Sequence, residues 1–430
     1  MKNHEQGAAT LLVTSVLLIA ALMATLGSYK TLFYQIKRAQ NEVLSRQSYW
    51  KAEGGLECAF ALVRQQGDIP TATTLFPSRC KVPLGLSNLT IDSQNKITSK
   101  VASTGHATIT KTLKLSRGAS SGALKSSSDL YINGSATFST PDPGDFDDGW
   151  ECTAIRYKSA FHSRSGATNQ GVIHGSAPYQ GFNHKSKDCK ASHKTNISAD
   201  TGYGDDFIQD GALEPFYDLF RVQRSNWSSV KTNLNFATVN FDNVPDKIVT
   251  DCGKKVADQI NAGKRRIWVT GSCEFTSSKK INGNYPTDSN GNPIKGGIDH
   301  ISEAFVSSGG EPVLLLVHNG IFAAHGAMTF PGMLYQLNTT APTNLDTLWD
   351  NFEAKDHFGE VVHFTGLSKN RIVYFQRGAF SFSGGQVLDS PNQAAYFANS
   401  LNFAFNRDNI EEVVDPVIFY AWEKGSWNDM

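Results

Sequence analysis

The feature that most constrains this chain is an uncharged run from Ala8 to Leu26. At about 1.5 Å per helical residue it reaches roughly 28 Å, close to the thickness of a bilayer's hydrocarbon core. A secretory signal peptide would end such a run at a small-x-small cleavage site followed by a mature chain. Here the helical pattern continues. Leu32, Phe33, Ile36, Val43, Leu44, Leu56, Phe60 and Val63 recur at intervals near three, four and seven, among Lys30, Lys37, Arg38, Glu42, Arg46 and Arg64. The pattern predicts one amphipathic helix growing out of a membrane anchor and running to about Gln66, with Gly67 as its stop.

A short polar leader ends in Gly7, the apolar helix starts at once, and its extension contains Ala52-Glu53-Gly54-Gly55-Leu56-Glu57-Cys58-Ala59. In these residues the chain resembles the type IV pilin superfamily, and within it the PilX-type minor pilins, over roughly the first 65 residues. The resemblance implies that a prepilin peptidase cuts between Gly7 and Ala8 and methylates the new amine of Ala8. Major pilins of this pattern carry Glu at the fifth mature position, where it neutralises a neighbour's N-terminal amine inside the lipid; here that position is Leu12. An unpaired amine in hydrocarbon is costly, so Leu12 suits a subunit at the tip, with nothing above it. An ordinary single-pass anchor is the plain alternative. Lys2 faces Glu5 before the span, whereas Lys30, Lys37 and Arg38 follow it, so the charge count alone favours the opposite orientation. The cysteines and the downstream composition point the head outside the cytoplasm.

The chain has 430 residues, 40% of them hydrophobic, enough for two or three domains with a real core. Its formal net charge is zero, so no global field recruits nucleic acid or an anionic surface. Six cysteines, at 58, 80, 152, 189, 252 and 273, contain no Cys-x-x-Cys pair. An even, well-separated set in an exported chain implies disulfides, and fifteen connectivities are open. Sequence proximity alone pairs Cys58 with Cys80, Cys152 with Cys189 and Cys252 with Cys273.

Period-two runs such as Ile97-Thr98-Ser99-Lys100-Val101 and Ala107 to Leu115 predict half-buried antiparallel strands. Ser116 to Ser128 is rich in Gly and Ser and marks a linker. It contains Gly-x-Ser-x-Gly around Ser120, the spacing of a nucleophile elbow, without a readable strand before it and helix after it. Beyond it, Leu130 to Phe138 repeats the spacing of Ile267 to Phe275, with weaker echoes ending at Gly320 and Gly378. Strand, turn glycine and second strand describe one rung of a parallel β-helix; a β-sandwich or mixed sheet is the open alternative. Glu311 to Tyr335 and the terminal Gly425 to Asp429 resemble the β-solenoid part of some long PilX-like proteins.

Asp288, Asn290, Asn292 and Asp299 have the oxygen-ligand spacing of a calcium loop, but Pro293 stands where such a loop needs Gly, and the same residues make an ordinary turn. His184, Cys189 and His193 have zinc-like spacing, against which an oxidising compartment favours the disulfide. Lys254, Lys255, Lys264, Arg265, Arg266, Lys279 and Lys280, interleaved with Trp268 and Phe275, suit DNA; the plain alternative is the wet face of a helix that buries Val256 and Ile260. No carboxylate pair or Ser/His/Asp set stands out, so an enzyme is not indicated, and no cofactor is expected unless the Asp288 loop takes calcium.

The expected architecture is α+β: residues 1–7 a prepilin leader, 8–66 the transmembrane and amphipathic helix, 67–117 a small antiparallel pilin-like head, 118–128 the linker and 129–430 a large β-rich domain. The expected role is that of a minor type IV pilin near the pilus tip. It would take part in assembly and present its head for adhesion or DNA uptake. Its partners would be other minor pilins, the major pilin, the prepilin peptidase, the inner membrane, and DNA or a surface ligand. Before assembly it would sit in the inner membrane with its head in the periplasm, and afterwards in the pilus. The alternatives are a type II secretion minor pseudopilin or a membrane-anchored periplasmic binding protein.

Overall fold

The apolar run and its periodic extension form one continuous α-helix, α1 (His4–Gln66), in the computed structural model. The structure describes residues 4–66, 69–102, 105–116, 122–140, 149–173, 186–199, 201–241, 247–278, 283–364, 367–399, 401–406, 413, 419–423, 425–426 and 428–429. At 1.5 Å per residue, α1 is about 95 Å long. The chain divides into two compact units, residues 1–116 with 419–430, and residues 117–418.

In the first unit the distal part of α1 lies on a small sheet. A short helix, α2 (Ile69–Phe76), and a π-helical turn lead into β1 (Asn88–Ile91), β2 (Lys96–Val101) and β3 (Ala107–Ser116), which pair antiparallel. Small residues set the approach. Ala52, Gly55, Leu56 and Ala59 are buried, and a Cβ on Gly55 would collide with Ser99 and Leu86. The sheet is completed by the end of the chain. Phe419–Trp422 pairs with the end of β3, and Asn428–Asp429 pairs with Thr110 and Ile109. Trp422 stacks on Phe60 of α1, with ring centroids 4.8 Å apart, beneath Lys111. This corrects two expectations: residues 419–429 belong to the first unit rather than to a domain 129–430, and Gly425 to Asp429 is not part of a solenoid.

The second unit is a stack of parallel strands in three walls. The first wall runs, in spatial order, Ala237–Asn240, Arg266–Thr270, Val313–His318, Gly332–Leu337, Gln386–Asp389, Leu124–Ser126, Ile155–Tyr157 and Phe207–Gln209. Each neighbouring pair is parallel. The second wall follows the same order, from Cys273–Thr276 through Phe322–His325, Ile372–Arg377, Ala394–Ala398 and Asp129–Asn133 to Phe161–Ser163. The third is formed by Met328–Phe330 with Phe380–Phe382, and by Leu401–Ala404, Ala136–Ser139 and Ala167–Asn169. The order is a circular permutation: the chain enters mid-stack at Leu124, climbs to one end at Gln209, crosses to the far end at Ala237 and climbs back to meet its own entry. Inward residues such as Ile267, Leu315, Leu334, Leu388, Leu124 and Ile155 fill one continuous core.

The expected linker is therefore partly interior. Residues 118–121, including Ser120, lie outside the described residues, but Leu124–Ser126 is a buried strand at the seam where the permuted ends meet. Small serines fit there because each returns a hydrogen bond to the neighbouring rung: Ser126 Oγ to the Leu388 carbonyl, Ser127 Oγ to Asp389 and Ser128 Oγ to the Ser390 carbonyl. The glycine echo also resolves into two different corners. Gly271 and Gly320 stack between the first and second walls, where a Cβ on Gly320 would sit on the Gly271 backbone, whereas Gly134 and Gly378 stack on Asn399 and Gly326 between the second and third.

Two segments cover the walls. The return crossing, with α3 (Pro215–Phe220) and α4 (Trp227–Asn233), runs along the outer face of the first wall. Asp210 pairs with Arg156, Asp218 with Lys125 and Arg224 with Asp389; Phe216 and Phe220 lie on Tyr335, and Trp227 lies on His318 and Trp268. At the far end α5 (Cys252–Asn261) and α6 (Gly297–Ser307) pack into the core. A flap, residues 338–364 and 367–371 with α7 (Leu345–Asp350), seals the second wall with Leu345, Leu348, Trp349, Phe352 and Phe358 over Phe375 and Tyr396.

Candidate functional site

The surface with most to explain is the first two-thirds of α1. Leu11, Leu12, Val13, Val16, Leu17, Leu18, Ile19, Leu22, Met23 and Leu26 are each at least 55% exposed. This is the one described helix long and apolar enough to cross a membrane. Thr10, Thr14, Ser15 and Thr25 return their hydroxyls to carbonyls one turn back, so the polar atoms of the span are satisfied within the helix. Gly7 lies in the helix and is exposed, Ala8 is helical, and Leu12 is 65% exposed, one turn in. The apolar surface does not stop at Leu26. Leu32, Ile36 and Val43 extend it along the same helix before Ser48 and Ala52 turn to the sheet.

Cysteines tie each part of the head. The disulfides are Cys58–Cys80, Cys152–Cys189 and Cys252–Cys273, closing separations of 22, 37 and 21 residues. The first joins α1 to the turn after α2, and the third joins the start of α5 to the second wall. With Cys189 bonded to Cys152, and Ser192 beside the His193 Nδ1, the zinc-like trio is not assembled; His184 lies outside the described residues.

The basic stretch divides between surface and interior. Lys254 pairs with Asp258, Arg265 pairs with Glu311, and Arg266 donates to the carbonyls of Val413 and Leu234. Burial pushes the Arg266 pKa down. Trp268 and Phe275, the bases' expected stacking partners, are both fully buried. Lys254 and Lys255 lie on α5, whose Val256 and Ile260 are buried, and Lys264 is exposed in the turn beyond it. Lys279 and Lys280 lie outside the described residues. The alternation of charge and aromatic marks the two faces of a helix and a strand.

Asp288, Asn292 and Asp299, three of the calcium candidates, are engaged in bonds within the protein. The Asp288 carboxylate accepts the backbone N–H groups of Asn290 and Asn292 and the Asn292 side-chain amide, which hold its pKa below the usual carboxylate range. Asp299 accepts from Ser278 and Tyr285 instead. Asp288 closes the turn that leads to Pro293, whereas Asp299 lies in the first turn of α6 and ties it to Ser278 and Tyr285.

Sequence reasoning missed the crossing's ion pairs, because their partners are 54, 93 and 165 positions apart. It also missed a polar cavity of about 550 Å3 between α5, α6 and the flap, lined by Asp251, Lys254, Glu274, Lys295, His300 and Glu353. Glu274 is held there by the His325 Nε2 and by the backbone N–H groups of Glu353 and Ala354. Under the crossing, His318 is sandwiched by Trp227 and Trp268 and faces Lys231 and Arg224; burial and these cations push its pKa down to about 4.

Comparison of the chain with family models, with curated proteins and with solved structures returns no match.

Proposed function

We propose that the chain is a minor subunit of a type IV pilus, assembled through α1 and carrying residues 117–418 as an enlarged, disulfide-held distal head. One observation carries the reading: a helix about 95 Å long whose distal end packs on its own sheet while its apolar remainder has no partner in the described chain. A lipid-crossing segment accounts for the first 28 Å or so of that surface. Leu32, Ile36 and Val43, beyond it, suit the packing of helix against helix in a filament. Leu12 in place of a carboxylate fits a position with no subunit above it, so the reading puts the head at the tip. The closure of the second unit, whose first and last first-wall strands pair at the seam, fits a self-contained module presented on a small scaffold.

Processing would occur between Gly7 and Ala8, before assembly, with the head in the periplasm. The role is structural and presentational. Immunogold labelling of sheared filaments with antibody to residues 117–418 tests it. A single label at one filament end is expected; labels along the shaft, or none on filaments, contradict it.

A further inference from the structure

We infer that the two turns of α1 beyond the span form a docking surface for the anionic headgroups of phospholipids. Lys30, Phe33, Tyr34, Lys37 and Arg38 follow the spacing i, i+3, i+4, i+7, i+8, which puts them on one arc of the helix. All five are exposed, and the Lys37 ammonium lies 4.8 Å over the Phe33 ring. Leu32, Ile36 and Val43 occupy the opposite arc. No acidic residue occurs from Gly7 to Asn41; the first, Glu42, is paired with Arg46.

Depth selects the partner. If the hydrocarbon ends near Leu26, Lys30 stands about 6 Å beyond it, inside the headgroup layer. Lys37 and Arg38 stand roughly 17 Å along the axis, about one Debye length above that layer, and their stems lean back toward it. Tyr29 and Tyr34 carry the amphipathic rings that settle at such a boundary. Three cations with no acid between them complement phosphate-bearing lipid, and the arrangement leaves the opposite, apolar arc free for a neighbouring helix. Under the proposed function this is the leaflet from which the head projects, where the bias of cytoplasmic loops toward Lys and Arg gives these cations no reason to be.

The inference rests on the membrane span and extends the pilin reading without depending on removal of the leader. The test uses the full chain reconstituted in phosphatidylcholine vesicles, with spin-labelled phosphatidylglycerol or phosphatidylcholine as probe. The boundary fraction of each label is read by electron paramagnetic resonance. A cation near an anionic surface is worth about fivefold in local partition, so the phosphatidylglycerol label is expected to be enriched several-fold over phosphatidylcholine at low salt. The substitutions Lys30→Gln, Lys37→Gln and Arg38→Gln together should bring the ratio close to one. Gln is as good a helix former as Lys, so α1 should persist. Lys30→Arg with Lys37→Arg should keep the enrichment. Equal partition in the unsubstituted chain, enrichment that survives the triple Gln change, or loss in the Arg variant overturns the inference. None of these readouts depends on the leader peptidase, so failure here and failure of the pilin reading are separable.

Discussion

Ser127 donates its hydroxyl to the Asp389 carboxylate at 2.9 Å, although the two residues are 262 positions apart. They belong to the first and last passes of the chain through the first wall, and the bond crosses the seam that closes the permuted stack. Asp389 also accepts from Arg224 on the crossing and from the phenol of the fully buried Tyr335. One carboxylate therefore joins the entry strand, the exit strand and the segment that covers both.

Asp389→Ala should destabilise the second unit by roughly 3–5 kcal/mol, because it strands a half-buried guanidinium and a buried phenol. Ser127→Ala, which removes one of several donors, should cost about 1 kcal/mol. Urea unfolding of the full chain in detergent, followed by tryptophan fluorescence, reads the difference; equal effects would mean that the seam is not held through Asp389.

Gly320 stacks directly on the backbone of Gly271, with no room for a methyl group, whereas nothing lies near Gly359 on the flap. Gly320→Ala should cost at least about 2 kcal/mol through overpacking at a corner that cannot yield. Gly359→Ala should be neutral within about 0.5 kcal/mol. Thermal melts of the two variants side by side test whether the stacked turns set the rung spacing.

His318 has a folded pKa near 4, below its ordinary value near 6.5, because burial and the Lys231 and Arg224 charges disfavour the imidazolium. The unfolded chain then binds more protons between these values, so this residue's contribution is fully present above about pH 6.5 and falls away toward pH 4. The loss amounts to roughly 2–3 kcal/mol. His318→Gln should flatten that part of the stability–pH curve, measured by denaturant midpoints at pH 4.5, 5.5 and 7.

Each disulfide closes a loop of a few tens of residues and should contribute about 3 kcal/mol in the chain-entropy model. Cys58→Ser with Cys80→Ser should loosen α1 from its sheet and leave the second unit's melt unchanged. Cys252→Ser with Cys273→Ser should do the reverse. Hydrogen exchange resolved by unit distinguishes them, and a shared response to both pairs would contradict two separately stabilised units.

Local patterns made α1 and the small sheet legible. The run Ala8 to Leu26, the spacing of Leu56, Phe60 and Val63, and the alternation in 97–115 each encode an element within its own span of sequence. The second unit was legible as strands with turn glycines that suggested the rungs of a parallel β-helix, with a β-sandwich or mixed sheet left open, but the order of the strands was not, because what orders them is contact across hundreds of positions. Gly134 and Gly271 look alike in sequence, yet they turn different corners. Ser126-Ser127-Ser128 has the composition of a flexible linker and is a buried seam, since small polar side chains serve both purposes. Phe419–Trp422 has no local signal that assigns it to β3 rather than to the nearer strands. The basic stretch is ambiguous for a related reason: an arginine bonded to carbonyls, as Arg266 is, and one free to meet phosphate are the same letter.

The pilin reading turns most directly on the N-terminus of the protein recovered from membranes, determined by intact mass and N-terminal sequencing with and without an active prepilin peptidase. The account predicts a chain that begins at a methylated Ala8 only when the peptidase is active. An intact Met1 under both conditions would contradict it and leave a membrane-anchored binding protein as the better description.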